Sequence, residues 1–482
     1  MIKIICLLAA LLCSCANGKE IEKTRRAEHS AAMRTGHESV LDQEFSEIDL
    51  DIVLDIPGGL YSVKQTIKYR NNSGRSLNEL LFNSLMRSYG GDLIFDTVQV
   101  GGQGAVLIEE NGPHYFKLAL PKLLKPGKSI DILLTYTVKL PLAAPVNSRL
   151  FAYWDNCLAL DYFYPSLVVP ADEDEIPPPL SYGDLVYNSA NLYTVTIEYP
   201  DDFLFASSGV VLGIKELENG NKKARIATGP ARSVFLAGGF NWTIKSAQLD
   251  GVTINVLGPD RYGERFQDIM DCALDGIKLM SQILCDYPYG EFDIAFVPAG
   301  WSAMEYPGII AMGTNYIDNF KPGRPKMSFR DIELILIHET THQWFFNLVG
   351  NDQLNEPWLD EAFAQYLLKY YFHEKYGPEK EKEYIAFLES TAGDARDSMR
   401  YLNLPVKAFE NGREYTKVIY GKAPLILNEI GRIYGDGKFL EFLRWYLDKR
   451  AWTISDTRSF ISDFDEFFGE GESGYFINNF KF

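Results

Sequence analysis

His338-Glu339-Thr340-Thr341-His342 has the residue types and the spacing to hold a metal ion and activate water on it. Two histidines four positions apart share one face of a helix. Their imidazoles can grip one zinc ion while Glu339 points at the metal-bound water. Such a site needs a third protein ligand and leaves a fourth position open. Glu361 is the candidate, with eighteen residues between it and His342, inside Glu356-Pro357-Trp358-Leu359-Asp360-Glu361-Ala362-Phe363-Ala364-Gln365-Tyr366. Pro357 suits a helix start, and acidic residues suit the first turn. An antiparallel helix pair would return the Glu361 carboxylate to the metal; by spacing alone, a solvated helix-start glutamate stays open as the alternative. The element that must carry the histidines is the run just before them. Ser328 and Asp331 form a capping-box pattern, and the apolar residues that follow suit a buried helix.

The stretch 338–366, HETTHQWFFNLVGNDQLNEPWLDEAFAQY, resembles the zinc site of the aminopeptidase N family, the gluzincin group that also contains leukotriene hydrolase. His-Gln-Trp-Phe at 342–345 and Trp-Leu-Asp-Glu-Ala-Phe-Ala at 358–364 carry the resemblance, which implies one Zn(2+) held by His338, His342 and Glu361. Upstream, Ser302-Ala303-Met304-Glu305-Tyr306-Pro307-Gly308 is similar to the family's Gly-Ala-Met-Glu-Asn motif. The resemblance implies that the backbone of Ala303 and Met304 pairs with substrate as an added strand and that Glu305 binds its free α-amino group. An ammonium held by carboxylates makes strong charge-assisted hydrogen bonds. Ser302 and Tyr306 depart from the family's Gly and Asn. Downstream, Tyr420-Gly421-Lys422-Ala423 resembles the Tyr-x-Lys-Gly/Ala segment, which makes Tyr420 the oxyanion donor; Tyr415 lies nearby without the following lysine.

Together these parts imply peptide hydrolysis by a zinc-activated water. Glu339 serves as general base, Tyr420 supports the oxyanion, and Glu305 sets the register on peptides with a free N-terminus.

Met1-Ile2-Lys3 and the apolar run Ile4–Leu12 read as a signal peptide, because the run is shorter than the roughly twenty residues of a membrane span. Leu12-Cys13-Ser14-Cys15 resembles a bacterial lipoprotein box with Cys15 as the lipidated residue. A plain signal peptide or an uncleaved anchor is the alternative. The expectation is a cell-envelope lipoprotein facing the periplasm or the exterior, touching the membrane through its lipid alone. Cys157, Cys272 and Cys285 remain; one disulfide could form, though buried small hydrophobes are the simpler reading.

The chain has 482 residues, 46% of them hydrophobic, enough to bury two cores. Its formal charge of −18 argues against nucleic acid and anionic lipid headgroups as partners. Asp172-Glu173-Asp174-Glu175, before Ile176-Pro177-Pro178-Pro179, reads as a solvated loop. The expected class is α+β. Residues 1–15 form the signal peptide and 16–44 a polar tether without a buried face. Alternating segments such as Ser62–Tyr69, Ile130–Tyr136 and Tyr193–Tyr199 predict an antiparallel β-domain over 45–245, saddle-like by the family resemblance. Residues 246–482 form a thermolysin-like catalytic domain. Family members usually continue into a large helical domain, whereas about sixty residues follow Tyr420 here, so a more open cleft or a covering subunit of a homo-oligomer is expected. An endopeptidase or epoxide hydrolase on the same zinc chemistry, or a non-catalytic surface binding protein, are the competing readings.

Overall fold

The computed structural model describes residues 20, 22–110, 114–142, 150–169, 182–184, 187–299, 302–319, 329–395 and 400–482. The signal peptide with Cys15, the acidic stretch 172–179 and the capping residue Ser328 lie outside the described residues.

Strict alternation builds the first half. Along Ser46–Asp55 every second residue, from Ile48 to Leu54, is buried, as a strand with one face on a core requires. It sits inside an eight-stranded sheet ordered Val210–Glu216, Asn221–Ala231, Asn191–Pro200, Ser46–Asp55, Leu60–Arg70, Ser129–Lys139, Asp92–Val100, Gln103–Gly104. Ser46–Asp55 runs parallel to Asn191–Pro200, with Ser46 opposite Asn191. The expectation of a purely antiparallel sheet is corrected there. Parallel neighbours need a long crossover, and the chain between these two strands provides one. Two four-stranded sheets complete this half. Ile52, Phe82, Phe116, Leu134 and Tyr193 share its core.

Residues 16–44 are not a featureless tether. A helix, α1, spans residues 22–32. His29, Ala32 and Met33 are buried, and His29 Nδ1 lies 2.7 Å from the Thr228 carbonyl. The apolar face is too short to stand out among the charges that surround it.

The second half opens with a five-stranded sheet ordered Trp242–Leu249, Val252–Pro259, Glu291–Val297, Ile309–Gly313, Ala303–Tyr306. The expected boundary at 245/246 falls inside its first strand, which pairs antiparallel with the second. Ala303–Tyr306 is an outer edge of this sheet. Helices α2 (Phe266–Ile283), α3 (Thr314–Asn319), α4 (Phe329–Thr341), α5 (Trp358–Tyr376), α6 (Pro378–Ala392), α7 (Gly412–Tyr415), α8 (Ala423–Tyr434), α9 (Asp436–Arg450) and α10 (Thr457–Phe468) follow. One core joins α2, α4, α5, α8 and α9. A separate layer packs Cys157, Phe235 and Ala237 of the first half against Ala295, Tyr306 and Ile309 of the second.

Three contacts fix the helix that carries the histidines. Gly276 lets α2 approach closely, since a Cβ there would lie 2.7 Å from Ile337. Glu333, fully buried on α4, receives Lys375 of α5 at 2.7 Å and the Tyr371 hydroxyl at 3.1 Å. Charged pairing makes such burial tolerable, and it locks α4 to α5. Beyond α4, Phe346 enters the core of the β-half.

Candidate active site

α4 places His338 and Glu339 on its last turn. The helix ends at Thr341, one residue before the second histidine, but the His342 amide still donates to the His338 carbonyl at 3.3 Å. The hydroxyls of Thr340 and Thr341 donate back to Leu336 and Ile337, which closes the turn. Glu361 comes from the first turn of α5, where the helix dipole favours an acid. The next residue back, Asp360, receives the Glu361 amide at 2.8 Å and the Gln353 side chain at 2.8 Å.

These elements bring the three expected metal ligands together. His338 Nε2 lies 3.1 Å from Glu361 Oε2 and 3.1 Å from His342 Nε2, and His342 Nε2 lies 3.6 Å from Glu361 Oε2. A tetrahedral ion with bonds near 2.0 Å needs ligand atoms about 3.3 Å apart, so the donor set fits zinc in kind and in spacing. His342 Nδ1 lies 3.1 Å from the Phe345 carbonyl. A proton on Nδ1 donated there leaves Nε2 free as a ligand. All three ligands are buried. Burial opposes charge on Glu361, yet the two imidazoles beside it hold its carboxyl well below the usual range.

Glu305, Glu339 and His342 form a second close set, with one donor atom from each within 4.8 Å of the others. Burial and the neighbouring Glu305 carboxylate push Glu339 well above an ordinary glutamate. Glu305 stands on the edge strand with Ala303 and Met304, paired to Ile309–Gly313. Gln343, the residue after His342, clamps this hairpin: its side chain donates to the Tyr306 carbonyl at 3.0 Å and accepts the Gly308 amide at 2.9 Å. Tyr306, where the family pattern has Asn, stacks on Phe235 of the β-half with ring centroids 4.1 Å apart. The substitution turns the strand end into a domain contact.

Tyr420 projects from a π-helical turn, Thr416–Lys422, between α7 and α8. The extra residue in such a turn redirects a side chain. Its hydroxyl donates to Glu361 Oε1 at 2.5 Å, and its ring lies over His338 at 5.8 Å. Burial and the Glu361 charge raise its pKa well above 10, so it stays a proton donor. Tyr415 is buried near Tyr420, and its hydroxyl has no hydrogen-bond partner among the described residues.

Sequence reading missed one wall of this site. Asp184, from the β-half, lines the same cavity of about 180 Å³ as Glu305, Glu339, Glu361 and Tyr420. Burial and the charges of Glu305, Glu361 and Asp360 push its carboxyl well above the usual range. No spacing rule links residue 184 to residue 338. Gln343 and Asp360 carried a faint signal, since both flank ligands.

Residues 270–480 match a family model described as the peptidase family M1 domain. Among curated proteins, "Aminopeptidase 2" of Candida albicans is 24% identical over 289 residues, covering 58% of this chain and 31% of that protein. "Endoplasmic reticulum aminopeptidase 2" of Homo sapiens is 29% identical over 171 residues, 34% of this chain and 17% of that one. The match thus spans about a third or less of these relatives. The crystal structure of an M1 zinc metallopeptidase from Deinococcus radiodurans aligns with TM-score 0.65 at 19% identity, covering 91% of this chain and 94% of that one. A mutant of that protein bound to Tyr-Ser-Ala aligns with TM-score 0.65 at 18% identity, over 91% and 95%. At this identity the likeness is one of fold.

Proposed function

We propose that this chain, whose residues 270–480 match the peptidase family M1 domain, is a zinc-dependent aminopeptidase that removes N-terminal residues from peptides. One observation carries the reading: three donor atoms stand at tetrahedral spacing beside a carboxylate on the outer strand of the five-stranded sheet.

His338, His342 and Glu361 would hold the zinc. When bound, the ion lowers the pKa of water and polarises the scissile carbonyl. The substrate backbone adds to the edge strand at Ala303 and Met304. Glu305 takes the free α-ammonium in a charge-assisted hydrogen bond and so fixes which peptide bond reaches the metal ligands. Glu339 accepts the proton of the attacking water and returns it to the leaving amine. The Tyr420 hydroxyl, now donating to Glu361, is placed to donate to the oxyanion instead. Attachment to a bacterial cell envelope through Cys15 is supported by the residue pattern at 12–15.

Glu339→Gln tests the assignment. The variant is expected to retain one zinc per chain by metal analysis and to lose hydrolysis of aminoacyl fluorogenic substrates. Full activity in that variant would sink it.

A further inference from the structure

The strand that carries Glu305 ends in a turn that does not suit it. Ala303–Tyr306 pairs antiparallel with Ile309–Gly313, with Tyr306 opposite Ile309, so Pro307 and Gly308 make the connection. Proline fixes φ near −65°, and Gly308 sits at φ +75°, the pattern of a type II turn. Two-residue hairpins prefer the mirror-image turns, whose twist matches that of the strands. A type II turn splays them, so this end of the strand needs a brace from outside. Gln343 supplies it. Its side chain is fully buried, donates to the Tyr306 carbonyl at 3.0 Å and accepts the Gly308 amide at 2.9 Å. One planar amide thus spans the turn. The backbone of Gln343 is held as well: its N–H donates to the Thr340 carbonyl at 3.1 Å, and its carbonyl accepts the Leu348 amide at 3.2 Å. The residue before it is His342, and one donor atom each from His342, Glu305 and Glu339 lie within 4.8 Å of one another.

The reaction sets a length for this brace. A free α-ammonium and the first scissile bond are separated by a single residue, about 3.5 Å of chain. Glu305 must therefore stand at a fixed reach from the metal ligands, and misplacement by about 1 Å costs roughly a hundredfold in rate. We infer that Gln343 is a positioning residue that sets this reach: it couples the Glu305 strand to His342 and so directs cleavage to the first peptide bond. The inference rests on the aminopeptidase reading and names what holds the register of the same site. A hydrocarbon side chain of similar size would fill the space and make neither bond.

The test compares the zinc-loaded protein with Gln343→Met by calorimetry on two hydroxamates. L-leucine hydroxamate carries an α-amine and a metal-binding group at the substrate's own separation, whereas acetohydroxamate carries the metal-binding group alone. The unaltered protein should bind the first more tightly by roughly tenfold or more, the worth of one charged hydrogen bond. Gln343→Met should lose that advantage and bind acetohydroxamate unchanged. On a leucyl fluorogenic substrate the variant should lower kcat/KM by roughly ten- to hundredfold with one zinc per chain retained. With Glu305→Gln already present, the same change should cost less than about threefold, because its effect runs through Glu305. An advantage that survives the substitution or is absent from the start overturns the inference, as do unaltered kinetics. Equal losses in the two backgrounds, equal weakening of both hydroxamates, or loss of zinc also overturn it, since Gln343 would then serve the fold or the metal set alone. Gln343→Glu, which keeps an acceptor for the Gly308 amide, takes the place of a methionine variant that does not fold, and failure of both to fold has that same meaning. Failure of the unaltered protein to cleave any substrate would instead overturn the hydrolase reading, leaving the hydroxamates to judge Gln343.

Discussion

At the residue scale, one short contact links the proposed metal ligands to Tyr420, the proposed oxyanion donor. Tyr420 donates to the same Glu361 whose other oxygen meets both imidazoles. Its hydroxyl must leave that bond to reach a developing oxyanion, which makes it a group whose gain appears in the transition state. Tyr420→Phe is therefore expected to lower kcat by roughly a hundredfold or more with little change in KM. Zinc content should be retained, because the phenol is not a ligand. A variant with unaltered kcat, measured on the same fluorogenic substrate, would remove Tyr420 from the reaction. The histidines, Glu339, Glu361, Glu305 and Tyr420 were all legible as residues because each sits in a short local pattern. Asp184 was not. It reaches the cavity only after the chain has folded one half against the other, and its flanking residues have no period to read.

At the scale of elements, the site depends on how the end of α4 is held. Phe346 follows His342 by four residues and is 3% exposed in the core of the β-half. Its φ of +120° is a costly backbone for a bulky side chain. Arg232, fully buried, spreads its guanidinium over this turn, with the carbonyls of Asn347 at 3.1 Å and Thr453 at 2.8 Å among its acceptors. Carbonyls left bare beneath a packed interface would cost free energy, and the guanidinium supplies their donors. Phe346→Ala opens a cavity in the β-half and loosens the turn after His342. Urea unfolding should register a loss of about 3–5 kcal/mol, with weaker retention of zinc on dialysis. A loss below about 1 kcal/mol would mean that the turn is held without Phe346. Nothing in the sequence pattern around His342 singles Phe346 out. Which core it joins depends on a tertiary contact. The strand Ser46–Asp55 was legible by its alternation, yet its parallel partner was not, because pairing across a long crossover leaves no local mark. α1 was missed for a related reason: two buried residues among charges give too weak a period.

For the whole molecule, two halves of different construction meet at the cavity of the candidate site. The helical half supplies the proposed metal ligands and the proposed base, its five-stranded sheet supplies the edge strand, and the β-half supplies Asp184, Phe235 and Arg232 around them. The division into a β-rich half and a helical half was readable from the alternating segments that fill the first half, while the join at Trp242 was not, since a hairpin reads alike on either side of a boundary. The central claim is that this arrangement cuts the first peptide bond of a chain with a free amine. A peptide and its N-acetylated form, incubated in parallel with zinc-loaded protein, test that most directly by mass spectrometry of the products. The free peptide should lose its first residue, the acetylated one should stay intact, and a chelator should stop the cleavage until zinc is restored. Cleavage of the acetylated peptide at a comparable rate, or cleavage that ignores the chelator, would contradict the account.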